Sequence, residues 1–283
     1  MNRKGIISGE WLMTDQEFDH LRKLVHRTSG IVVGADKRNL IRARLQRRLA
    51  SLQLRSLSDY LELINTSGGH DEQALLISLL TTNVTSFFRE SAHFTLLNDT
   101  ILPSLHNLQE PVQIWSAGCS SGQEPYSAAI SIADHHPLLQ RNCAILASDI
   151  DLAILDTARA AIYRDQDLNG LDPDQITRHF LPVTDPGTAA NGKWRLDPKV
   201  ASLVEFQQLN LNAHWSIHQR FHVIFCRNVA IYFSIQDQRR LWGKFAAALH
   251  PGGWLLIGHA ERVPADLHHL LQPSGITAYQ RPS

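Results

Sequence analysis

The spacing of hydrophobic residues divides the chain into a helical first third and a region of alternating strands and helices. Residues 14 to about 93 show helical spacing, and Thr14 followed by Glu17 is a capping-box pattern at the start of the first helix. The pattern predicts helices over 14–29, 36–52, 58–65 and 71–80. A further helix is predicted to begin at Phe87 and to run toward Leu102, where Pro103 ends or kinks it.

From Glu110 onward, short apolar runs alternate with amphipathic segments. Strands are predicted over 112–117, 143–148, 204–208, 221–226 and 254–258, with a final edge strand over 276–280. Helices are predicted over 124–133, 152–161 and 235–249, and Pro251-Gly252-Gly253 is predicted to be a turn. This alternation is typical of an α/β fold with a mostly parallel sheet that helices cover on both sides.

One segment interrupts the alternation. Residues 171–203 are rich in proline, and Asn191-Gly192 is a hairpin signal. We expect a small antiparallel β insertion here, and a long disordered loop is the alternative. The predicted organisation is an all-helical domain over 1–93, a helical linker over 94–109 and an α/β domain over 110–283.

Composition excludes some classes of protein. The 283 residues contain 27 Lys and Arg against 27 Asp and Glu, so net charge indicates no partner. The three cysteines are an odd number without metal-ligand spacing, which favours a reducing compartment. There is no signal-peptide core and no apolar run of 18 residues, so we expect a cytoplasmic protein that does not insert into a membrane.

Residues 112–127 form the stretch around which the chain is organised. A buried strand leads into small residues and then into a helix with Pro125 in its first turn. In an open α/β sheet, such a junction binds a ligand at the carboxyl end of the strand. Residues 118–122 also match G-x-S-x-G, with Ser120 as the nucleophile of a hydrolase. A small-residue turn without a ligand is a third interpretation.

Polar residues follow several of the predicted strands. Glu124 follows the first strand, Asp149 the second, Asn210 the third, and Arg227-Asn228 the fourth. An acid after the second strand suits two ribose hydroxyls, and a carboxylate near the first suits an ammonium group. The combination favours a nucleoside that carries an amino acid, as S-adenosylmethionine does.

The segment from Lys37 to Arg48 is basic and contains no acid. It is either a solvated helix face or a docking face for an acidic partner, with Arg44, Arg47 and Arg48 as the proposed contacts. Because no aromatic residues are interleaved with it, single-stranded nucleic acid is disfavoured as the partner.

The chain resembles the chemotaxis receptor methyltransferase family (CheR), whose members are S-adenosylmethionine-dependent protein-glutamate O-methyltransferases. The matching stretches, in the family's order, are TTNVTSFFRE (81–90), IWSAGCSSGQEPYSAAI (114–130), ASDIDLAIL (147–155), NLN (210–212), FCRNVAIYF (225–233) and PGGWLLIGHAE (251–261). The resemblance implies a helical N-terminal domain and a Rossmann-like methyltransferase domain with a small β insertion.

The resemblance also implies roles for individual residues. Asn83, Thr85 and Arg89 would close over the cofactor, Gly118 and Glu124 would hold its methionine portion, and Asp149 would take the ribose hydroxyls. Asn210, Leu211, Arg227 and Asn228 would line the adenosine and the mouth of the site. As catalytic residues, Arg89 would steer the incoming carboxylate and Tyr232 would lie near the methyl group, unless Tyr232 only fills space beside Phe233. Gln123 departs from the family pattern, since many relatives have a second acid there.

The implied partner is the cytoplasmic helices of chemoreceptors, with a receptor C-terminal peptide as a second partner for the β insertion. The implied cofactor is S-adenosylmethionine, with S-adenosylhomocysteine as product, and no metal, nucleic acid or oligomer is expected. A serine hydrolase that uses Ser120 and a non-catalytic S-adenosylmethionine sensor are the alternative functions.

Overall fold

The structure of the protein is a computed structural model that describes residues 13–66, 68–81, 83–183 and 192–283, with only the backbone of His70. The described residues form two compact units. One contains the residues up to 81 together with Tyr232–Ser234, and the other contains Asn83–Ile231 and Ile235–Ser283. Among the described residues, no helix is both long and apolar enough to cross a membrane.

The first unit is built from helices. Its helices are α1 (Asp15–Ser29), α2 (Arg38–Ser51), α3 (Leu57–Ile64) and α4 (His70–Leu80), with a 3-10 turn at Ala35–Lys37 before α2. The capping box at Thr14 is present, because its side chain accepts from the Glu17 N–H and Glu17 accepts from the Thr14 N–H. Gly30 ends α1 in the left-handed conformation at φ 80°. The four predicted helices are therefore confirmed, with ends that differ by one or two residues.

Two arginines of α2 hold this unit together. The Arg48 guanidinium donates to the Glu72 carboxylate, with Nε 2.9 Å from Oε1, and the Tyr60 hydroxyl donates to the same oxygen at 2.7 Å. Arg44 donates to the carbonyl oxygens of Leu79 and Thr81 at 2.7 and 3.0 Å. Both arginines thus use their donors within the unit, whereas the third predicted docking residue, Arg47, is exposed.

The segment Tyr232–Ser234 packs in the same unit. The Val32 N–H donates to the Tyr232 carbonyl at 2.7 Å, and Ile31 forms an isolated antiparallel bridge with Phe233. The Lys37 ammonium lies 4.9 Å from the centroid of the Tyr232 ring, which is within the range of a cation–π interaction. Tyr232 is thereby held by helical-unit residues, and its catalytic role stays a prediction.

The predicted helix start at Phe87 is wrong. Phe88 and Glu90 have positive φ values of 50° and 55°, which are incompatible with a continuous helix. Helix α5 (Ala92–Leu96) begins after them and continues through a π-helical turn (Leu97–Ile101) into α6 (Leu102–Ser104). A proline removes one helical N–H and crowds the carbonyl four residues earlier, so the wider turn directly before Pro103 accommodates it.

The second unit contains the sheet. Among the described residues, seven strands lie in the order β6-β2-β1-β7-β8-β10-β9. Their bounds are β1 (Val112–Ala117), β2 (Cys143–Asp149), β6 (Val204–Gln208), β7 (Phe221–Cys226), β8 (Leu249–Ile257), β9 (Gln272–Gly275) and β10 (Ala278–Gln280). The pairs among β6, β2, β1, β7 and β8 are parallel, and β10 is antiparallel to both neighbours. Helices α7 (Gln123–His135), α8 (Leu152–Ala160) and α11 (Ile235–Ala248) pack on these strands.

Two strand predictions are corrected. The predicted turn at 251–253 lies inside β8, because Phe221 pairs with Leu249 and Val223 pairs with Trp254, so the extra residues form a bulge. The predicted edge strand over 276–280 is shorter and is not at the edge, since β9 pairs with its outer side. Pairing with β9 depends on a tight reversal of the chain at Ile276–Thr277, where Thr277 has φ 52°.

A small antiparallel sheet is inserted between α8 and β6. It consists of β3 (Ile162–Arg164), β5 (Lys193–Leu196) and β4 (Phe180–Pro182), in that order, with the short helices α9 (Pro173–His179) and α10 (Pro198–Ala201). The predicted antiparallel insertion is confirmed, but it begins with β3, before residue 171. A three-residue strand is too short for alternation to reveal it. The predicted hairpin residue Asn191 lies outside the described residues.

The bidentate pair within the helical unit generates a stability prediction. Arg48→Met keeps an apolar stem but leaves the largely buried Glu72 carboxylate without its cation, so we expect a loss of about 2 kcal/mol in the free energy of unfolding of this unit. The control is Arg47→Met, which changes an exposed side chain on the same helix and should shift stability by no more than about 0.5 kcal/mol. Urea unfolding followed by circular dichroism measures both, and equal unfolding midpoints for the two variants would contradict the structural role of Arg48.

Candidate active site

The turn after β1 is shaped by backbone contacts with β2. The N–H groups of Gly118 and Cys119 both donate to the Ser148 carbonyl, at 2.7 and 2.9 Å. Gly118 has φ +87°, and a Cβ at this position would lie 2.4 Å from a methyl carbon of Val229. The turn therefore requires glycine for conformation and for space. It leaves the backbone at the carboxyl end of β1 open to close approach.

Asp149, at the end of β2, faces this turn. Its Oδ2 accepts the Ser120 N–H at 2.9 Å, and its Oδ1 accepts the Asp151 N–H at 3.0 Å. Burial raises the pKa of Asp149, while the two N–H groups oppose that shift by stabilising the carboxylate. Each oxygen of a carboxylate has a second lone pair, so Asp149 can still accept two hydroxyl groups.

Glu124 begins α7 and points toward β1 and β7. Its Oε1 accepts the Ser116 hydroxyl at 2.7 Å, and its Oε2 lies 3.6 Å from Nε of Arg227. Burial raises the pKa of Glu124, and the charge of Arg227 with the Ser116 hydrogen bond opposes the rise. Glu124 is therefore a poorly hydrated acid, and a further cation nearby would stabilise its ionised form.

Arg227, directly after β7, is a buried cation between acids. Its residue is 6% exposed, and its Nε lies 3.8 Å from Glu90 as well as 3.6 Å from Glu124. One terminal nitrogen donates to the Arg89 carbonyl, and the guanidinium carbon lies 5.5 Å from the centroid of the Phe94 ring. Nε and Nη1 have no hydrogen-bond partner. A buried guanidinium with two open donors is suited to an anionic ligand.

Of the three residues predicted to close over the cofactor, Asn83 contacts the glycine turn. The Asn83 amide donates to Asp151 at 3.0 Å, and its carbonyl accepts the Ser120 hydroxyl at 3.1 Å. Arg89 donates to the Val84 carbonyl at 2.9 Å, and Thr85 is half-buried between them in the chain. The structure thus brings Asn83 to the glycine turn and joins the Arg89 backbone to Arg227.

The same contacts bear on the G-x-S-x-G match. Ser120 has φ 51°, a strained conformation that a nucleophile elbow also shows. Its hydroxyl, however, donates to the backbone carbonyl of Asn83 and not to a histidine ring. Burial also raises the pKa of the neighbouring Cys119 thiol well above its usual range, so neither side chain is an activated nucleophile.

The loop after β6 reaches the end of β2. The Leu209 N–H donates to the Asp149 carbonyl at 2.9 Å, and the Asn210 side-chain oxygen accepts the Asn212 N–H at 2.9 Å. Leu211 is buried. The predicted adenosine residues Asn210 and Leu211 are therefore joined through Leu209 to the backbone of the predicted ribose residue.

Glu261 is a residue of the site to which the sequence assigned no role. Its carboxylate accepts four backbone N–H groups: Gly258 at 2.6 Å, Asn228 at 3.1 Å, Val229 at 2.9 Å and Ile231 at 3.3 Å. These bonds hold the loop after β7, including Asn228 at φ 59°. The available signal in the sequence was an acid four residues after a buried strand, but three of its four partners lie about thirty residues earlier in the chain.

Glu90 ends the matching stretch 81–90, and no role was assigned to it from the sequence. Its Oε1 accepts from Nδ1 of His259 at 2.9 Å and lies 3.4 Å from the Asn228 amide nitrogen. Although burial opposes the shift, the His259 hydrogen bond and the Arg227 charge lower the pKa of Glu90. Glu90 therefore carries the negative charge that balances Arg227.

These groups fit the two charged ends and the ribose of S-adenosylmethionine. Arg227 offers two unpartnered donors to a carboxylate, and Glu124 offers an acceptor to an ammonium group. Asp149 retains acceptor capacity for a diol beside a turn in which a Cβ on Gly118 would clash. The residues present thus match the chemistry of the cofactor that the sequence motifs imply.

A separate cluster of possible metal ligands lies near the amino ends of β1, β7 and β8. Among the described residues, Glu110, His222 and His250 place one ligand atom each within 4.8 Å of one another. His222 Nδ1 accepts the Gln113 N–H at 3.0 Å, which leaves the proton of the neutral ring on Nε2. A metal ligand requires the reverse, with a free lone pair at the ligating nitrogen and a proton on the other. The hydrogen bond therefore disfavours metal binding by His222 in this arrangement.

The raised pKa of Glu124 generates a prediction about stability and pH. A carboxyl group whose pKa is raised on folding favours the protonated form in the folded state, so its ionisation costs stability as pH rises from about 4.3 through the folded pKa. Glu124→Gln removes this cost. The thermal unfolding midpoint of the variant, relative to wild type, should rise as the pH is raised above about 4.3.

The control for this measurement is Glu205→Gln, since Glu205 is an exposed acid in the same unit. Its midpoint relative to wild type should stay constant over the same range. A flat difference for Glu124→Gln would contradict the raised pKa of Glu124, and a falling difference would show that ionised Glu124 stabilises the folded protein.

Comparison with known proteins agrees with this site. The family model described as "CheR methyltransferase, SAM binding domain" matches residues 83–279, and that described as "CheR methyltransferase, all-alpha domain" matches residues 16–81. The first range contains the glycine turn and every side chain of the site described above.

Individual relatives match along most of their length. A probable chemotaxis protein methyltransferase of Rhizobium etli is 38% identical over 261 residues, which cover 91% of this chain and 96% of the relative. Chemotaxis protein methyltransferases of Klebsiella aerogenes and Escherichia coli are 40% and 38% identical, each over 88% of this chain and over 84% and 85% of their own. The chain is a member of the CheR methyltransferase family, with its all-helical and S-adenosylmethionine-binding domains.

Proposed function

We propose that this protein transfers methyl groups from S-adenosylmethionine to glutamate side chains on the cytoplasmic helices of chemoreceptors, forming glutamate methyl esters. The observation that carries the proposal is the buried Arg227 together with the half-buried acids Glu124 and Asp149 at the carboxyl edge of the sheet, in a member of this family. The names of the relatives, chemotaxis protein methyltransferases, support the chemotaxis setting.

The chemistry of a glutamate acceptor suits the side chains of the site. A glutamate has an unperturbed pKa of about 4.3, so at pH 7 it is already a nucleophilic carboxylate and needs no general base. The bound cofactor supplies an electrophilic methyl group on a sulfonium centre. The protein is then required only to bind, align and dehydrate the reacting groups. The side chains at Ser120 and Cys119, which are not activated, are consistent with this requirement.

Roles follow from the charges of the site. The resemblance implied a place for Arg227 along the adenosine and the mouth of the site, but its unpartnered donors beside Glu124 favour the carboxylate of the cofactor instead. Glu124 holds the ammonium group and Asp149 the ribose hydroxyls. Gly118 allows the backbone of the turn to approach the ligand, while Asn83, Thr85, Asn210, Leu211 and Asn228 complete the binding site. Arg89 steers the substrate carboxylate, and Tyr232, which lies four residues after Asn228 in the chain, lines the path of the methyl group.

Receptor docking involves α2 through its exposed face. Arg44 and Arg48 already make hydrogen bonds within the helical unit, so Arg47 is the better candidate for contact with an acidic receptor helix. The cation–π contact between Lys37 and Tyr232 links the start of this basic segment to the predicted catalytic tyrosine.

Transfer of labelled methyl groups to receptor-containing membranes tests the function. The protein is mixed with S-adenosylmethionine labelled at the methyl group, and we expect receptor-bound label that is released as methanol by mild base, as a carboxyl ester requires. Label that resists base would indicate a different acceptor. Binding of S-adenosylhomocysteine without any transfer would support the sensor alternative, and labelling by a serine-directed covalent probe would support the hydrolase.

Asp149→Ala should weaken the binding of S-adenosylhomocysteine at least about tenfold, because the variant loses two hydrogen bonds to a charged acceptor. Titration calorimetry measures the affinity. Asp156→Ala, which removes an exposed acid of α8 that pairs with Arg159, is the matched control and should bind normally. Unchanged affinity in folded Asp149→Ala would contradict the ribose role.

Arg47→Glu should lower receptor methylation strongly at low salt and leave the affinity for S-adenosylhomocysteine near that of wild type. The wild-type rate should itself fall with added salt, because the Debye length shortens from about 10 Å at 0.1 M to about 3 Å at 1 M. Arg55→Glu, an exposed arginine outside α2, is the control. If Arg47→Glu methylates receptors at the wild-type rate at low salt, this face of α2 is only solvated.

A further inference from the structure

We propose that Lys244 is a positioning residue for the cofactor, which holds the loop after β6 in the conformation that binds adenosine. The inference rests on the proposed function, in which Asn210 and Leu211 of this loop contact S-adenosylmethionine. Lys244 belongs to none of the stretches that carry the family resemblance, and it lies on α11, more than thirty residues after the loop.

The ammonium group of Lys244 binds the loop at three points. Its Nζ donates to the Leu211 carbonyl at 2.9 Å and to the Ala213 carbonyl at 2.5 Å. It also lies 3.9 Å from the centroid of the Trp215 ring, which is a close cation–π contact. The charge of Lys244 therefore contacts Leu211, Ala213 and Trp215. These residues lie outside helices and strands, so no regular secondary structure holds them in place.

Trp215 makes the contact rigid. Its indole Nε1 donates to the same Leu211 carbonyl at 3.1 Å, so that oxygen accepts from two donors. The Trp215 ring packs against Trp115 and Phe245, with centroids 5.0 and 5.3 Å away. Trp115 belongs to β1 and Phe245 to α11, so the loop is attached to the sheet and to its covering helix.

The other end of the loop is attached to the predicted ribose residue. The Leu209 N–H donates to the Asp149 carbonyl at 2.9 Å, and the Ala213 N–H donates to the Asn210 carbonyl at 3.1 Å. Asn210 and Leu211 thus lie between an anchor at Asp149 and an anchor at Lys244. Removal of the second anchor takes the Lys244 donor away from the Ala213 carbonyl and leaves the Leu211 carbonyl with the weaker hydrogen bond from Trp215, which loosens the segment predicted to contact adenosine.

The charge of Lys244 is costly to hold at this position. Burial, together with the charge of Arg240 one turn earlier on α11, lowers the pKa of Lys244 to about 8. The loop contributes two carbonyl oxygens and an indole ring to the surroundings of the ammonium group. A methionine would fill the space of the stem without the charge, whereas an arginine keeps the charge and several donors.

The test is the affinity of three variants for S-adenosylhomocysteine, measured by calorimetry at pH 7. Lys244→Met should bind at least about tenfold more weakly than wild type, because the loop loses two charge-assisted hydrogen bonds. Lys244→Arg should recover most of the affinity. Lys199→Met, an exposed lysine of α10 in the same unit, is the control and should bind as wild type does.

A second readout separates positioning from a general loss of structure. With S-adenosylmethionine at saturation, Lys244→Met should methylate receptors at nearly the wild-type kcat, and its loss should appear in KM for the cofactor. Equal loss of kcat and affinity in both Lys244→Met and Lys244→Arg would overturn the inference in favour of a purely structural role. Wild-type affinity in Lys244→Met would overturn it directly.

The wild-type protein offers a test that needs no methionine variant. Its affinity for S-adenosylhomocysteine should fall as pH rises through about 8, where the ammonium group of Lys244 loses its proton. Lys244→Arg corrects for other groups that titrate, and it should lose less affinity over the same range. Equal pH profiles would overturn the inference, whereas failure of the wild type to bind S-adenosylhomocysteine at any pH would instead contradict the proposed function.

Discussion

The site depends on a buried guanidinium that is balanced by two acids. Arg227 lies 3.8 Å from Glu90 and 3.6 Å from Glu124, and it donates to the Arg89 carbonyl. A buried charge is tolerated only when opposite charges and hydrogen bonds compensate for its lost hydration. Because these compensating groups come from two separate parts of the chain, Arg227 at the end of β7 joins the segment before α5 to the start of α7. Its remaining donors are available to an anion.

The loops at this edge of the sheet are ordered by single polar side chains. Glu261 accepts four backbone N–H groups around the loop after β7. Asp149 accepts one N–H from the glycine turn and one from the residues after β2, and Lys244 donates to two carbonyls of the loop after β6. Irregular backbone has no ladder to satisfy its polar groups, so side chains must do so. The charges that shape the site are therefore also the charges that its cofactor would meet.

Charged side chains of the helical unit also make contacts within the unit. From the sequence alone, the basic residues of α2 look equally exposed. In the structure, however, Arg48 pairs with Glu72 and Arg44 donates to a carbonyl oxygen at the end of α4. Only the folded arrangement separates the arginines that stabilise the unit from Arg47, which is exposed. A run of basic residues along a helix thus does not by itself identify a docking face, since half-buried arginines also donate to carbonyl oxygens.

The sequence determined the elements and the chemistry of the candidate site. Periodicity placed the helices of the first unit and strands β1, β2, β6 and β7, because these elements are long and bury one consistent face. The polar residues that follow those strands indicated the ligand-binding edge, since parallel strands end together there. The motifs indicated the family, which the comparisons confirmed.

Only the tertiary structure decided which long-range partners those residues have. The segment at Phe88 and Glu90 leaves the helical conformation, β8 contains a bulge, and β9 covers β10, each through contacts or backbone conformations that local hydrophobicity does not reveal. Glu261 and Lys244 act on residues about thirty positions away, so no local pattern could assign them. The physical reason is that hydrophobic spacing records which face of an element is buried, whereas hydrogen bonds and ion pairs are fixed only when distant segments meet.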